Sequence, residues 1–188
     1  GKHDLVKEKI MGKIHSVQTV APYTVGGVMI IGLVIVYILN VPAIQQNQKL
    51  IAAYTNARRT NDVSVIKEDF LSAVNKSPLG RSESREYLLS FANQLIISPE
   101  IPGNVKAYFV EAVISEYDKQ LKEHPRDTRS FLAFATFLNQ VTGMATGEKK
   151  TEVSNRVFET LKTIESISPH KPQFILQKAI AFLNINNT

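Results

Sequence analysis

The chain has 188 residues, 44% of them hydrophobic and 21% charged, with a formal net charge of +5. This length fits one ordinary domain plus an extra segment, and the composition is that of a folded protein. There is no cysteine, which excludes disulfides, thiolate zinc sites and cysteine nucleophiles.

The first 20 residues carry Lys2, Lys7, Lys9 and Lys13 against Asp4 and Glu8. Part of the net positive charge therefore sits in one small cluster, not along a nucleic-acid-binding face. Between Lys13 and Lys49 there is no Asp, Glu, Lys or Arg. Within that window, residues 21–42 read as a transmembrane helix. About 20 apolar residues at a rise of 1.5 Å cross a hydrocarbon core of about 30 Å. A single run of this length must be helical to satisfy its backbone in lipid. Tyr23 and Tyr37 lie toward the two ends, where amphipathic rings favour the headgroup level. Pro22 suits the first turn and Pro42 the exit. A removable targeting signal and a buried core helix are the competing readings. The run is long for the first, and its flanks lack the amphipathic periodicity of the second. Residues 1–20 are then a basic juxtamembrane segment. By the positive-inside rule they lie on the cytoplasmic side and the remainder outside.

Residues 43–188 read as helices joined by short breaks. Leu50, Ala53, Tyr54 and Ala57 share one helical face, as do Val63, Ile66, Phe70 and Ala73 after a cap at Asp62. Pro78 and Gly80 interrupt the chain. Tyr87, Leu88, Phe91 and Leu95 form the next apolar face, after a capped start over Ser82 to Glu86. A helix of about 20 residues ends at Pro125. Another starts at Asp127 and stops at Gly143, and a polar loop (MATGEKK) follows it. Two more helices, from Thr151 and from Pro172, complete seven after the apolar run. "EYDKQLKEHPRD", with charges of both signs, reads as an exposed face. No credible strand occurs, so the fold class is all-α.

Three helices end alike. Ile66, Phe70 and Ala73 precede Pro78; Val113, Tyr117 and Leu121 precede Pro125; Val157, Leu161 and Ile164 precede Pro169. In each an apolar residue stands 12 before the proline and another 8 before it. This is similar to the second helix of a tetratricopeptide repeat, although the prolines recur at 47 and 44 residues and the standard period is about 34. The expected architecture is one transmembrane helix followed by a degenerate tetratricopeptide-like solenoid. Each helical pair then buries its face only against a neighbour, and a concave groove takes a protein or peptide partner.

The order of segments resembles one family. An apolar helix leaves through "YILNVPAIQQNQKLIAA". It is followed by "DFLSAVNKSPLGRSESREYLLSFANQL", "HPRDTRSFLAFATFLNQVTG" and "VFETLKTIESISPHKPQ". From Val25 to the end this is similar to the C-terminal part of bacterial O-antigen ligase/polymerase-type membrane proteins with a tetratricopeptide tail. The resemblance implies a bacterial cytoplasmic membrane protein of cell-surface polysaccharide assembly, with an extracytoplasmic helical domain. The family's catalytic arginines and histidines lie in loops between earlier spans. This chain has one span and no such loop, so no catalytic residue carries over. The resemblance makes the chain a non-catalytic tail, with glycan transfer the activity of a longer parent. The alternative is a stand-alone single-span tetratricopeptide scaffold in envelope assembly or protein quality control.

Chemistry within the chain is sparse. None of His3, His15, His124 and His170 has a partner at zinc-ligand spacing, and no nucleophile elbow, P-loop or dinucleotide fingerprint occurs. No catalytic, cofactor or metal site is expected, and no nucleic-acid partner. The expected partners are membrane lipid and a protein or peptide. Lys7, Lys9, Lys13, Arg58 and Arg59 are the candidate lipid-headgroup contacts. Asn186 opens a formal glycosylation sequon with Asn187 and Thr188.

Overall fold

A computed structural model describes residues 2–59 and 62–186, with side chains from Tyr23 onward. Asn187 and Thr188 of the sequon lie outside the described residues. The described residues form seven α-helices and no strand: α1 (Lys2–Arg59), α2 (Val63–Val74), α3 (Arg81–Ile97), α4 (Gly103–Glu123), α5 (Thr128–Met144), α6 (Gly147–Ile167) and α7 (Pro172–Asn186). The chain divides into two compact units, residues 1–45 and 46–188.

In the first unit the helix does not start at Pro22 or end at Pro42. Both prolines lie inside α1, which runs for 58 residues. The nitrogen of Pro42 has no hydrogen to give the carbonyl four residues back. Close by, Asn40 Nδ2 donates to the Val36 carbonyl at 2.8 Å. The span and the first helix expected after it are thus one element. Its most apolar 18-residue window has a mean hydropathy of 2.4, and none of it is buried against the rest of the protein. A core helix would be covered; here Ile31, Leu33 and Ile38 are each at least 60% exposed.

The second unit is built from neighbours in sequence. From α2 to α7 each helix packs on the next, and α2 also meets α4, α3 meets α5, and α5 meets α7. The end of α1 joins through side chains. Leu50 and Ala53 enter the core, Lys49 donates to Ser72 at 3.1 Å, and Asn56 donates to Asp69 at 2.7 Å. The residues 12 and 8 before each proline are all buried: Ile66 and Phe70, Val113 and Tyr117, Val157 and Leu161. One periodic rule, an apolar residue every turn or so on one face, therefore places equivalent side chains in the core three times.

Aromatic rings link successive helices. Tyr54 of α1 meets Phe70 of α2 edge-on at 5.3 Å and Phe91 of α3 at 5.8 Å. Phe91 in turn meets Phe109 of α4 at 5.2 Å. Further along, Tyr117 of α4 stacks on Phe134 of α5 at 5.3 Å. Each such pair adds about 0.5–1.5 kcal/mol beyond the area it buries.

Helix starts follow side-chain chemistry where it is present. Asp62 accepts from the backbone N–H of Ser64 at 3.0 Å and of Val65 at 3.3 Å. Asp127 accepts from Arg129 N–H at 3.1 Å. Asp62→Ala is expected to lower stability by removing this cap, read as a drop in the urea midpoint. Two starts differ from expectation. α3 begins at Arg81 after Gly80, which has no side chain to cap it, and Ser82, inside the first turn, accepts from Gln120 Nε2 at 2.7 Å. α6 takes in the expected polar loop from Gly147, whose φ of +59° suits a residue without a β-carbon.

Candidate functional site

The largest described cavity lies within the second unit, between the last turns of α1 and the first turns of α3. It is an open groove of about 700 Å³. Asn47, Ile51, Thr55 and Arg58 recur along α1 at helical spacing and form one wall, which ends at Arg59. Glu83 and Tyr87, one turn apart on α3, form the other. The adjacent stripe of α1 is held down by Gln46, Leu50 and Ala53, all buried, and Leu50 also lines the groove. Gln46 Nε2 donates to Ser84 Oγ at 2.6 Å, a buried bond that ties α1 to α3.

The floor is aromatic and aliphatic. Tyr54 is half-buried and donates its hydroxyl hydrogen to the Tyr87 carbonyl at 3.3 Å. Burial, with a smaller contribution from Tyr87, pushes its phenol above the ordinary range. The Tyr54 and Tyr87 rings meet edge-on at 6.2 Å. Ile51 and Tyr87 remain exposed at 66% and 42%. Tyr87 was expected on the buried face with Leu88, Phe91 and Leu95; the structure buries Leu88 and Phe91, half-buries Leu95, and turns Tyr87 into the groove.

Arg58 and Arg59 are exposed in the last turn of α1, where a cation complements the helix dipole. Among the described residues neither takes part in a salt bridge. The other three candidate lipid contacts, Lys7, Lys9 and Lys13, have side chains outside those described. The structure brings Arg58 and Arg59 together with Tyr54 and Tyr87, a grouping that local sequence reasoning missed. The α1 stripe was legible at helical spacing; Tyr87 of α3, 33 residues from Tyr54, was not.

A second cleft of about 520 Å³ is lined by α4, α5 and α6. Its arginine, Arg156, is already committed: it pairs with Asp118 and lies over the Phe134 ring at 5.6 Å. His124 caps the end of α4 through its backbone N–H, which bonds Gln120 at 2.9 Å, and His170 is exposed. Among the described residues no group of three histidine or acidic side chains is placed to hold a metal. Thr55, on the α1 wall, donates its hydroxyl hydrogen to the Ile51 carbonyl at 2.8 Å. No family model, curated protein or solved structure matches the chain.

Proposed function

We propose that this chain is a membrane-anchored helical-repeat interaction module, the non-catalytic tail of an O-antigen ligase-like protein in cell-surface polysaccharide assembly. The observation that carries the reading is an uncovered apolar helix followed by helices that repeat one burial pattern before Pro78, Pro125 and Pro169. α1 anchors the chain in the bacterial cytoplasmic membrane, and its basic N-terminal flank stays on the cytoplasmic side. The helices from Gln46 onward form a tetratricopeptide-like array. α1, α3, α5 and α7 serve as the first helices of successive pairs, and α2, α4 and α6 as the second. The contacts of α3 with α5 and of α5 with α7 are those expected when such pairs stack.

The gene tests the assignment. In-frame DNA upstream of the codon for Gly1 is expected to encode several further apolar spans, which would hold the glycan-transferring site. A start codon within a few residues would overturn the ligase reading and leave a single-span scaffold.

A further inference from the structure

We propose that the groove between α1 and α3 binds an acidic peptide segment, with carboxylates on Arg58 and Arg59 and an adjacent apolar side chain on Ile51, Tyr54 and Tyr87. The proposal rests on the interaction-module reading and names the chemistry of the partner.

Charge is the first argument. The two guanidiniums present up to ten N–H donors and have no ion-pair partner among the described residues. The helix dipole accounts for a cation at this end of α1. It does not account for two of them at the mouth of an aromatic groove. Planar guanidinium forks match carboxylates in a bidentate fashion.

Shape is the second argument. The wall from Asn47 to Arg59 spans about 18 Å, 12 steps at the helical rise. An extended peptide covers that distance in about five residues. Asn47 is exposed at the far end and offers both a donor and an acceptor to a peptide backbone. The apolar floor lies between Asn47 and the arginines. A lipid headgroup would use the arginines alone and leave Ile51 and Tyr87 uncovered. Glu83 on the α3 wall repels further negative charge, which disfavours a polyanionic nucleic-acid ligand and selects for a peptide whose acidic charge is confined to the arginine end.

The test uses the full chain in nonionic detergent and four fluorescein-labelled octapeptides: acidic with apolar residues, acidic with glycines, neutral with apolar residues, and basic with apolar residues. Fluorescence anisotropy is expected to rank the first at least about tenfold tighter than the others. Arg58→Glu with Arg59→Glu is expected to move the preference to the basic peptide. Lys149→Glu with Lys171→Glu, two exposed lysines outside the groove, matches that charge change and is expected to leave the ranking intact. No preference for the acidic apolar peptide, or one that survives the double arginine reversal, would overturn the proposal. Arginine-dependent binding to phosphatidylglycerol nanodiscs with no peptide preference would overturn it as well. Photo-crosslinkers at Tyr87 and at exposed Phe182, in membranes of the source cell, separate the two readings. Discrete adducts from Phe182 alone, with no peptide preference, sink the groove and keep the module. Adducts from neither position sink both.

Discussion

Replacing Arg85 with methionine is expected to destabilise the helical unit by about 3–5 kcal/mol. Arg85 is 2% exposed, and its partner Glu116 is 3% exposed. The guanidinium Nε donates to Glu116 at 3.1 Å. Its Nη1 donates to Gln120 at 2.8 Å and to Glu123 at 2.6 Å. One side chain of α3 thus satisfies three acceptors along α4. Gln120 passes the network on, donating to Ser82 and to Ser130 of α5. Removing the arginine leaves Glu116 buried with only Lys119, itself half exposed, as a cation. The lost attraction is the smaller part of the cost; the stranded carboxylate is the larger. Arg85→Met with Glu116→Met is therefore expected to recover most of the loss, since no buried charge is then unpaired. Arg85→Lys is expected to be intermediate, because an ammonium cannot span the same acceptors. Urea titrations of residues 46–188 followed by circular dichroism measure all three. A single substitution costing under about 1 kcal/mol would show that the network is not structural.

Acid adds a second readout of the same cluster. The hydrogen bond from Arg85 holds the Glu123 carboxyl below the usual range; burial opposes it, and the nearby charges of Arg85 and Arg81 add to the lowering. Burial pushes Asp127 up, but bonds from Ser130 and Arg129 more than offset it and leave that carboxyl low as well. A depressed folded pKa means stability that is present above the unfolded value, about 4, and lost as pH falls through the folded value. The wild-type urea midpoint should therefore drop on acidification below about pH 4. Arg85→Met should lose the Glu123 share of that slope and keep the Asp127 share.

Periodicity made much of the second unit legible. Ile66, Phe70, Val113, Tyr117, Val157 and Leu161 could be placed in the core from spacing alone, because a helix that must bury one face repeats its apolar residues every turn. Asp62 and Asp127 could be read as caps because the signal is local. The Arg85 network was hidden for the opposite reason. Glu116, Gln120 and Glu123 share a face of α4 at helical spacing, but mixed charges usually mark solvent. Only the arrival of Arg85, 31 residues away, makes that face an interior one. The groove has the same origin: Arg58 and Arg59 were visible as a basic helix end, and Tyr87 gives them an aromatic neighbour only after folding. Pro22 and Pro42 misled in the other direction. Proline disfavours a helix interior because it lacks the N–H and clashes with the preceding turn, yet α1 continues through both. Helices that span a membrane tolerate proline where other groups satisfy the freed carbonyl, since an unsatisfied backbone group is costly in lipid.

That same cost underlies the other large effect expected of this protein. The full chain should stay with membranes through alkaline carbonate, and residues 46–188 should be released as a soluble helical fragment. Ile30, Ile31, Leu33, Val34 and Val36 all lie exposed along α1, so nothing in the described protein shields them from solvent. A soluble monomer rarely leaves so continuous an apolar surface uncovered, and a bilayer covers it without any new contact within the chain. Ile31→Arg with Val34→Arg puts two charges near the middle of the run. Each costs about 2.5–3.5 kcal/mol at the centre of a span, enough together to move the chain into the soluble fraction. A signal that is cut after export would instead yield a shortened soluble product from the wild type. The absence of cysteine gives a clean assay of orientation. Lys149→Cys should react with a membrane-impermeant maleimide added outside intact cells, and Lys9→Cys only after lysis. The reverse pattern would place the helical unit in the cytoplasm and remove its role at the outer face, while leaving the anchor intact. Wild-type chain that is extracted by carbonate and runs as a monomer in plain buffer would sink the anchor itself.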